Sequence, residues 1–156
     1  MIFASLGEMD MPFDRMARAI DSLAATCGEE VVVQTGYTDY RYQHARAFRF
    51  CKKDEMTRYM KEASLVILQG GWGTISEAME LQQRIVVMPR HEGTEHIHDQ
   101  GQLTRKLDEM GCVVAVDDEN GLAEAVERAR TFRFRQLPKG NAENIIKAQL
   151  RSWFGI

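Results

Sequence analysis

The chain has 156 residues, 44% of them hydrophobic, which suits one domain with room for a single substantial core. Its net charge of −3 excludes no function class, but the absence of any run of about 18 apolar residues argues against a membrane span. Three cysteines, Cys27, Cys51 and Cys112, in odd number and without paired spacing, are read as free thiols of a reducing compartment, so a soluble cytoplasmic protein is expected.

In chain order, residues 1–6 read as a first strand closed by Gly7. A helix is expected from about Pro12 to Thr26, with Phe13, Met16, Ala17, Ile20, Leu23 and Ala24 on its apolar face, Pro12 in its first turn and Gly28 at its end. Glu30 to Thr35 is a second strand ended by Gly36, Tyr37 to Gln43 a polar and aromatic loop, and Ala47 to Phe50 a short strand. Asp54 to Lys61 gives a helix with Met56, Tyr59 and Met60 facing inward. Further on, Gln100 to Met110 reads as helix stopped by Gly111, Cys112 to Val116 as strand, and Glu119 to Arg130 as helix. The basic end is set apart: Arg128 to Ile156 holds seven Lys or Arg and one acid, Glu143, while the preceding residues carry 13 basic against 22 acidic groups. Such a tail suggests a partner or an anionic surface, with no sign of nucleic-acid binding.

The centre of the chain joins two buried-strand runs, Leu65-Val66-Ile67-Leu68 and Ile85-Val86-Val87-Met88, through the turn Gly70-Gly71-Trp72-Gly73 and a helix. That is a βαβ unit, and the alternation of strands and helices predicts a Rossmann-like α/β layered fold with a mainly parallel sheet. The helix is expected to start at Thr74 as N-cap, with Glu77 completing a capping box. A glycine turn feeding a helix start favours an anion, because the backbone can approach closely and unpaired N–H groups point at the turn. A well-capped helix with no ligand is the bland alternative. A dinucleotide reading is disfavoured, since Ser76 stands where the fingerprint needs its third glycine. After Pro89 come Arg90, His91, Glu92, Glu95, His96, His98, Asp99 and Gln100, a polar loop suited to a hydroxyl-rich ligand at the carboxyl end of a strand. His96 and His98 with the nearby acids offer a metal-site pattern, disfavoured because no cysteine is close by.

The order Gly70-Gly71-x-Gly73-Thr74-x-x-Glu77-Ala78, Val86-x-x-Pro89-Arg90, Glu95-His96-x-x-Asp99-Gln100 resembles the donor-binding half of GT-B glycosyltransferases, in particular the family 28 C-terminal-domain proteins. These include the small catalytic subunit of the two-part N-glycan UDP-N-acetylglucosamine transferase and bacterial exopolysaccharide relatives. The opening Met1-Ile2-Phe3 through Gly7, Pro12-Phe13-Asp14-Arg15, and Gln34-Thr35-Gly36-Tyr37 agree, so the resemblance runs over about residues 1 to 118. It implies that Gly7, Gln69, Gly70, Gly71, Gly73 and Thr74 surround the diphosphate of a UDP-sugar, that Glu77 binds the ribose hydroxyls, and that Asp99 and Gln100 read the sugar. It also places Arg90 in the substrate site and leaves His96 as the in-chain candidate for a catalytic base. The UDP-sugar is a substrate, and neither cofactor nor metal is implied.

The resemblance further implies half of an enzyme, with the acceptor held by a membrane-associated partner subunit and peripheral recruitment to the inner face of the membrane. Residues 1–130 would be the nucleotide-sugar domain and 131–156 a basic amphipathic tail. In that tail Asn141 caps a helix bearing Ile145, Ile146, Leu150, Trp153 and Phe154, which folds back, lies on a membrane, or crosses to the partner. Two positions depart from the family pattern: Gln69 replaces a histidine, and Glu8 a threonine. They keep open a second reading, a non-catalytic accessory subunit of a transferase.

Overall fold

Short β-branched runs flanked by glycine turns pair here into a six-stranded sheet: β1 (Ile2–Ser5), β2 (Val31–Gln34), β3 (Arg46–Phe48), β4 (Leu65–Gln69), β5 (Ile85–Met88) and β6 (Val114–Ala115). The computed structural model describes residues 1–137 together with Gly140, Arg151 and Ser152. All pairs are parallel and the order is β3-β2-β1-β4-β5-β6, with Ile2 opposite both Val31 and Leu65, and Ser5 opposite Leu68. Among the described residues the helices are α1 (Asp14–Ala24), α2 (Lys53–Glu62), α3 (Trp72–Glu80) and α4 (Gly101–Glu109), each in a crossover between strands, and α5 (Leu122–Thr131), which follows β6.

The period of two along each strand divides the core between two faces. Ile2 and Ala4 of β1 join Ile67, Val86 and the apolar stripes of α1 and α5. Phe3 joins Val32, Val66 and Leu68 with Met60 of α2, Ile75 and Ala78 of α3, and Leu107 of α4. The central strands are covered on both sides, which is why they read as unbroken apolar runs.

Most expected elements stand within a residue or two of their predicted ends. The strand expected at Cys112–Val116 shrinks to Val114–Ala115, because α4 closes with a Schellman turn. Gly111 takes φ +74° and donates to Asp108 O, and Cys112 donates to Leu107 O, so both residues belong to the turn. The helix expected over 119–130 is a 3₁₀ turn (Glu119–Gly121) leading into α5, with the Asp118 carboxylate accepting from Asn120 N–H. Pro12 lies before α1, whose N-cap is the buried Phe13. Beyond α5, Phe132 and Phe134 stack edge to face and pack on the α1–α5 side of the core, and Leu137 on the other. The final helix expected from Asn141 lies outside the described residues. Among those residues no helix is long and apolar enough to cross a membrane.

Candidate functional site

The strand order reverses at β1, with β2 on one side and β4 on the other, so a crevice is expected where their carboxyl ends splay apart. A cleft of about 350 Å³ opens there. Ser5, Gly7 and Glu8 line it from β1, Gln34 from β2, Cys51, Lys53 and Met56 from the start of α2, and Gln69, Thr74 and Glu77 from β4 and α3.

Its floor is a polar network between strand ends. The Ser5 hydroxyl donates to Gln34 Oε1 at 2.7 Å, and Gln34 Nε2 donates to the carbonyls of Gly7 (3.2 Å) and Arg49 (3.0 Å). Gly7, at φ +83°, returns its N–H to Ser5 Oγ at 3.3 Å. Both side chains are buried, so this network fixes three loops of the cleft at once.

The turn after β4 differs from expectation. α3 begins three residues earlier, with Gly71 in place of Thr74 as N-cap, in an extended conformation and with no side-chain hydrogen bond closing the helix start. Thr74 is thus inside the first turn, its side chain on the cleft wall, and the expected Thr74–Glu77 capping box does not form. Glu77 turns instead to α2 and accepts the Thr57 hydroxyl at 2.5 Å. The result is a helix start without a side-chain cap beside the cleft, with one carboxylate a turn further on.

The downstream loop is anchored more than it is displayed. Arg90 is 2% exposed; its guanidinium donates to the carbonyls of Leu6 (2.8 Å), Met11 (2.7 Å) and Glu95 (3.0 Å) and stacks over Phe13 at 4.6 Å. It therefore ties β1, the approach to α1 and the loop together, apart from the cleft lining. Arg15, absent from the expected site, clasps both oxygens of Glu95 (3.2 and 3.0 Å) and the Pro89 carbonyl (2.9 Å). Burial alone would raise the Glu95 carboxyl, but the Arg15 pair and the His91 N–H hold it below the usual range.

Of the other expected residues, Asp99 accepts Gly101 N–H at 2.7 Å at the start of α4, with Arg105 3.7 Å away. Gln100 is buried; its Oε1 accepts Arg90 N–H at 3.1 Å and its Nε2 donates to Gln69 Oε1 at 2.8 Å. His96 Nδ1 lies 2.9 Å from His98 N and 3.1 Å from the His98 carbonyl oxygen, so its contacts stay within the loop. Gly70 is buried against Gln100 and Thr104, while Gly73 faces open space. Gly7, Gln69, Thr74 and Glu77 thus meet in the cleft, and Gly70, Gly71, Gly73, Arg90, His96, Asp99 and Gln100 are absent from its lining. Among the described residues no group of three or more His, Cys, Asp or Glu is placed to hold a metal.

Sequence reasoning missed Ser5, Gln34, Cys51, Lys53 and Met56. The signal for the first two was present: a lone polar residue closing each of two apolar strands. Lys53 matters most electrostatically, since it is the one basic side chain in a lining that also holds the acids Glu8 and Glu77.

The profile of the glycosyltransferase family 28 C-terminal domain matches residues 12–151. Among curated proteins there is no match. Similar solved structures include the glycotransferase of kitacinnamycin (17% identity, TM-score 0.65, 83% of this chain and 34% of that one). The calicheamicin glycosyltransferase CalG4 is similar at 21% identity and TM-score 0.62, over 83% of this chain and 33% of that one. A third is the Methanocaldococcus jannaschii UDP-GlcNAc 2-epimerase in complex with UDP-GlcNAc and UDP (16%, TM-score 0.64, 95% and 44%). At such identities the likeness is one of fold: this sheet is that of GT-B glycosyltransferases. The chain spans about a third of the length of the glycosyltransferase structures it matches.

Proposed function

Because the chain belongs to the family of glycosyltransferase family 28 C-terminal domains, we propose that it is the donor-binding subunit of a two-part glycosyltransferase. It moves a hexosyl or N-acetylhexosaminyl group from a UDP-sugar to a lipid-linked polysaccharide acceptor. The observation that carries this reading is the cleft at the strand-order reversal, where the start of α3, free of a side-chain cap, and Glu77 lie along one wall. The diphosphate sits at the helix start beside Gly7 and Gln69, met also by Lys53. Glu77 accepts the ribose hydroxyls, as an ionised carboxylate one helical turn from the phosphates can. The base then extends toward Cys51 and Met56, and the sugar toward Asp99. A related fold holding UDP-GlcNAc and UDP favours this class of ligand.

In the transfer, the acceptor hydroxyl oxygen bonds to the anomeric carbon as that carbon's bond to the β-phosphate oxygen breaks, and UDP departs. The helix start, the Gln69 amide and Lys53 stabilise the charge gathering on UDP. The acceptor's proton goes to a base on the acceptor side, with His96, outside the cleft lining, the candidate within this chain. Among the described residues the exposed large apolar side chains are Tyr37, Phe50, Trp72 and Ile97, which follow β2, β3, β4 and β5 in the chain. They are the surface on which an acceptor-binding partner, itself membrane-associated, would close.

Calorimetric titration of UDP, UDP-glucose, UDP-galactose and UDP-N-acetylglucosamine tests the proposal. Glu77→Gln should weaken UDP binding by roughly 1.5–3 kcal/mol, the range for hydrogen bonds to a charged group. Unchanged affinity in a folded variant would sink the ribose assignment. One observation favours the accessory reading: Glu8 places a carboxylate on the cleft wall where a diphosphate must pass. If Glu8→Thr with Gln69→His creates UDP-sugar binding that the natural chain lacks, the accessory role is the correct one.

A further inference from the structure

A backbone N–H only donates, and this fixes the polarity of a chain of amides leading into the cleft. Arg90 N–H donates to Gln100, so the atom it meets, at 3.1 Å, is Oε1. Gln100 then turns its Nε2 to Gln69, 2.8 Å away, where it must find an acceptor, Gln69 Oε1. What remains of Gln69 is its Nε2, a donor with no hydrogen-bond partner among the described residues, on the cleft wall between Gly7 and Gly71. A Cβ on Gly71 would run into that nitrogen, and one on Gly7 would lie 3.2 Å from it. Gln100 is 8% exposed and both ends of its amide are occupied.

We propose that Gln100 is a positioning residue that locks the Gln69 amide with its N–H₂ toward the cleft, making Gln69 a fixed neutral donor for a phosphate oxygen. The inference rests on the reading of the cleft as a nucleotide site. It replaces direct sugar contact by Gln100 with an indirect role through Gln69. Without the lock the Gln69 amide rotates freely, and its carbonyl oxygen faces an anion as often as its nitrogen does.

The test is a double-substitution cycle, Gln69→Met, Gln100→Met and both together, read with UDP and with uridine. Gln69→Met, which removes the donor, is expected to weaken UDP binding about tenfold, the loss of about 1.4 kcal/mol expected for a contact of this kind, and Gln100→Met, which leaves the donor facing the ligand about half the time, about twofold, with uridine affinity unmoved in both. The double variant should be no worse than Gln69→Met alone. An equal further loss from Gln100→Met in the Gln69→Met background would show that Gln100 touches the ligand itself, and would overturn the proposal. So would unchanged UDP affinity in Gln100→Met. Proton exchange of the side-chain amides reads the polarity without ligand: Gln100 NH₂ protons protected, Gln69 NH₂ protons exchanging freely, and the reverse order overturns it. If the polarity holds but neither UDP nor uridine binds, the nucleotide reading fails on its own. The cycle is then run with inorganic pyrophosphate, and absence of binding there removes the donor role as well.

Discussion

Alanine at Gly70, Gly71 and Gly73 separates three reasons for a glycine-rich turn. None of the three has a positive φ, so the backbone itself tolerates a side chain at each. What differs is the space. Nothing lies within 4 Å of a Cβ at Gly73. In the first turn of α3 the change there should raise stability by roughly 0.5–1 kcal/mol. At Gly71 the added atom meets Gln69 Nε2, the end of a flexible side chain that can swing aside. Folding then loses the Gln100–Gln69 hydrogen bond, roughly 1 kcal/mol, and about as much again from alanine as N-cap. At Gly70 the Cβ lies 2.8 Å from the Cβ of Gln100, which is fixed to the backbone at the start of α4. The helix must shift, at about 1–3 kcal/mol of overpacking. Chemical denaturation and UDP titration on the same preparations give the result. Gly71→Ala should lose at least about tenfold in UDP affinity beside its loss of about 2 kcal/mol in stability. Wild-type UDP affinity in Gly71→Ala, or a destabilised Gly73→Ala, would refute the reasoning.

Gln82 sits at φ +57° just past α3, its N–H to Met79 O and that of Gln83 to Ala78 O forming a Schellman turn. Gln82→Gly should therefore raise stability by about 1 kcal/mol, visible as a higher Tm. Burial alone would raise the Asp21 carboxyl, but the N–H groups of Gln43, His44 and Ala45, with the charge of His44, hold it below its ordinary 3.8. A depressed folded value means stability present above that ordinary value and lost as pH falls from there through the folded one, by a slope that Glu95 shares and that Asp21→Asn should reduce in denaturation series from about pH 6 to 2. Deleting residues 141–156 should abolish co-purification with an acceptor-binding partner while UDP affinity stays close to that of the full chain. Loss of folding in that truncation would return the tail to its own domain.

The sheet was legible because its physics is local. Strands buried on both faces must be apolar throughout, and β4 and β5 appear in the sequence as such runs, bounded by a glycine turn and by Pro89. Boundaries set by longer-range partners were not. Thr74 followed three positions later by Glu77 satisfies the capping-box pattern, yet Glu77 is taken by Thr57, twenty residues earlier on α2. With its partner gone, Thr74 has no reason to cap, and the helix extends back to Gly71. Lys53 and Met56 were hidden for a similar reason: their helix was read for the face it buries, while its start also forms a wall of the cleft.

Polar density in the loop after β5 pointed to a ligand, and two causes can produce such density. A loop crossing the carboxyl edge of a parallel sheet has carbonyls to satisfy and no strand neighbour to satisfy them. A buried arginine supplies several donors in a fixed plane. Arg90 spends its donors on Leu6, Met11 and Glu95 carbonyls, and Arg15 closes the same loop through Glu95 and Pro89. This anchoring holds the Arg90 backbone N–H still, and that N–H orients Gln100, which orients Gln69. The loop therefore reaches the cleft through a relay of amides, and a substitution at Arg90 should be felt first as a loosened Gln69.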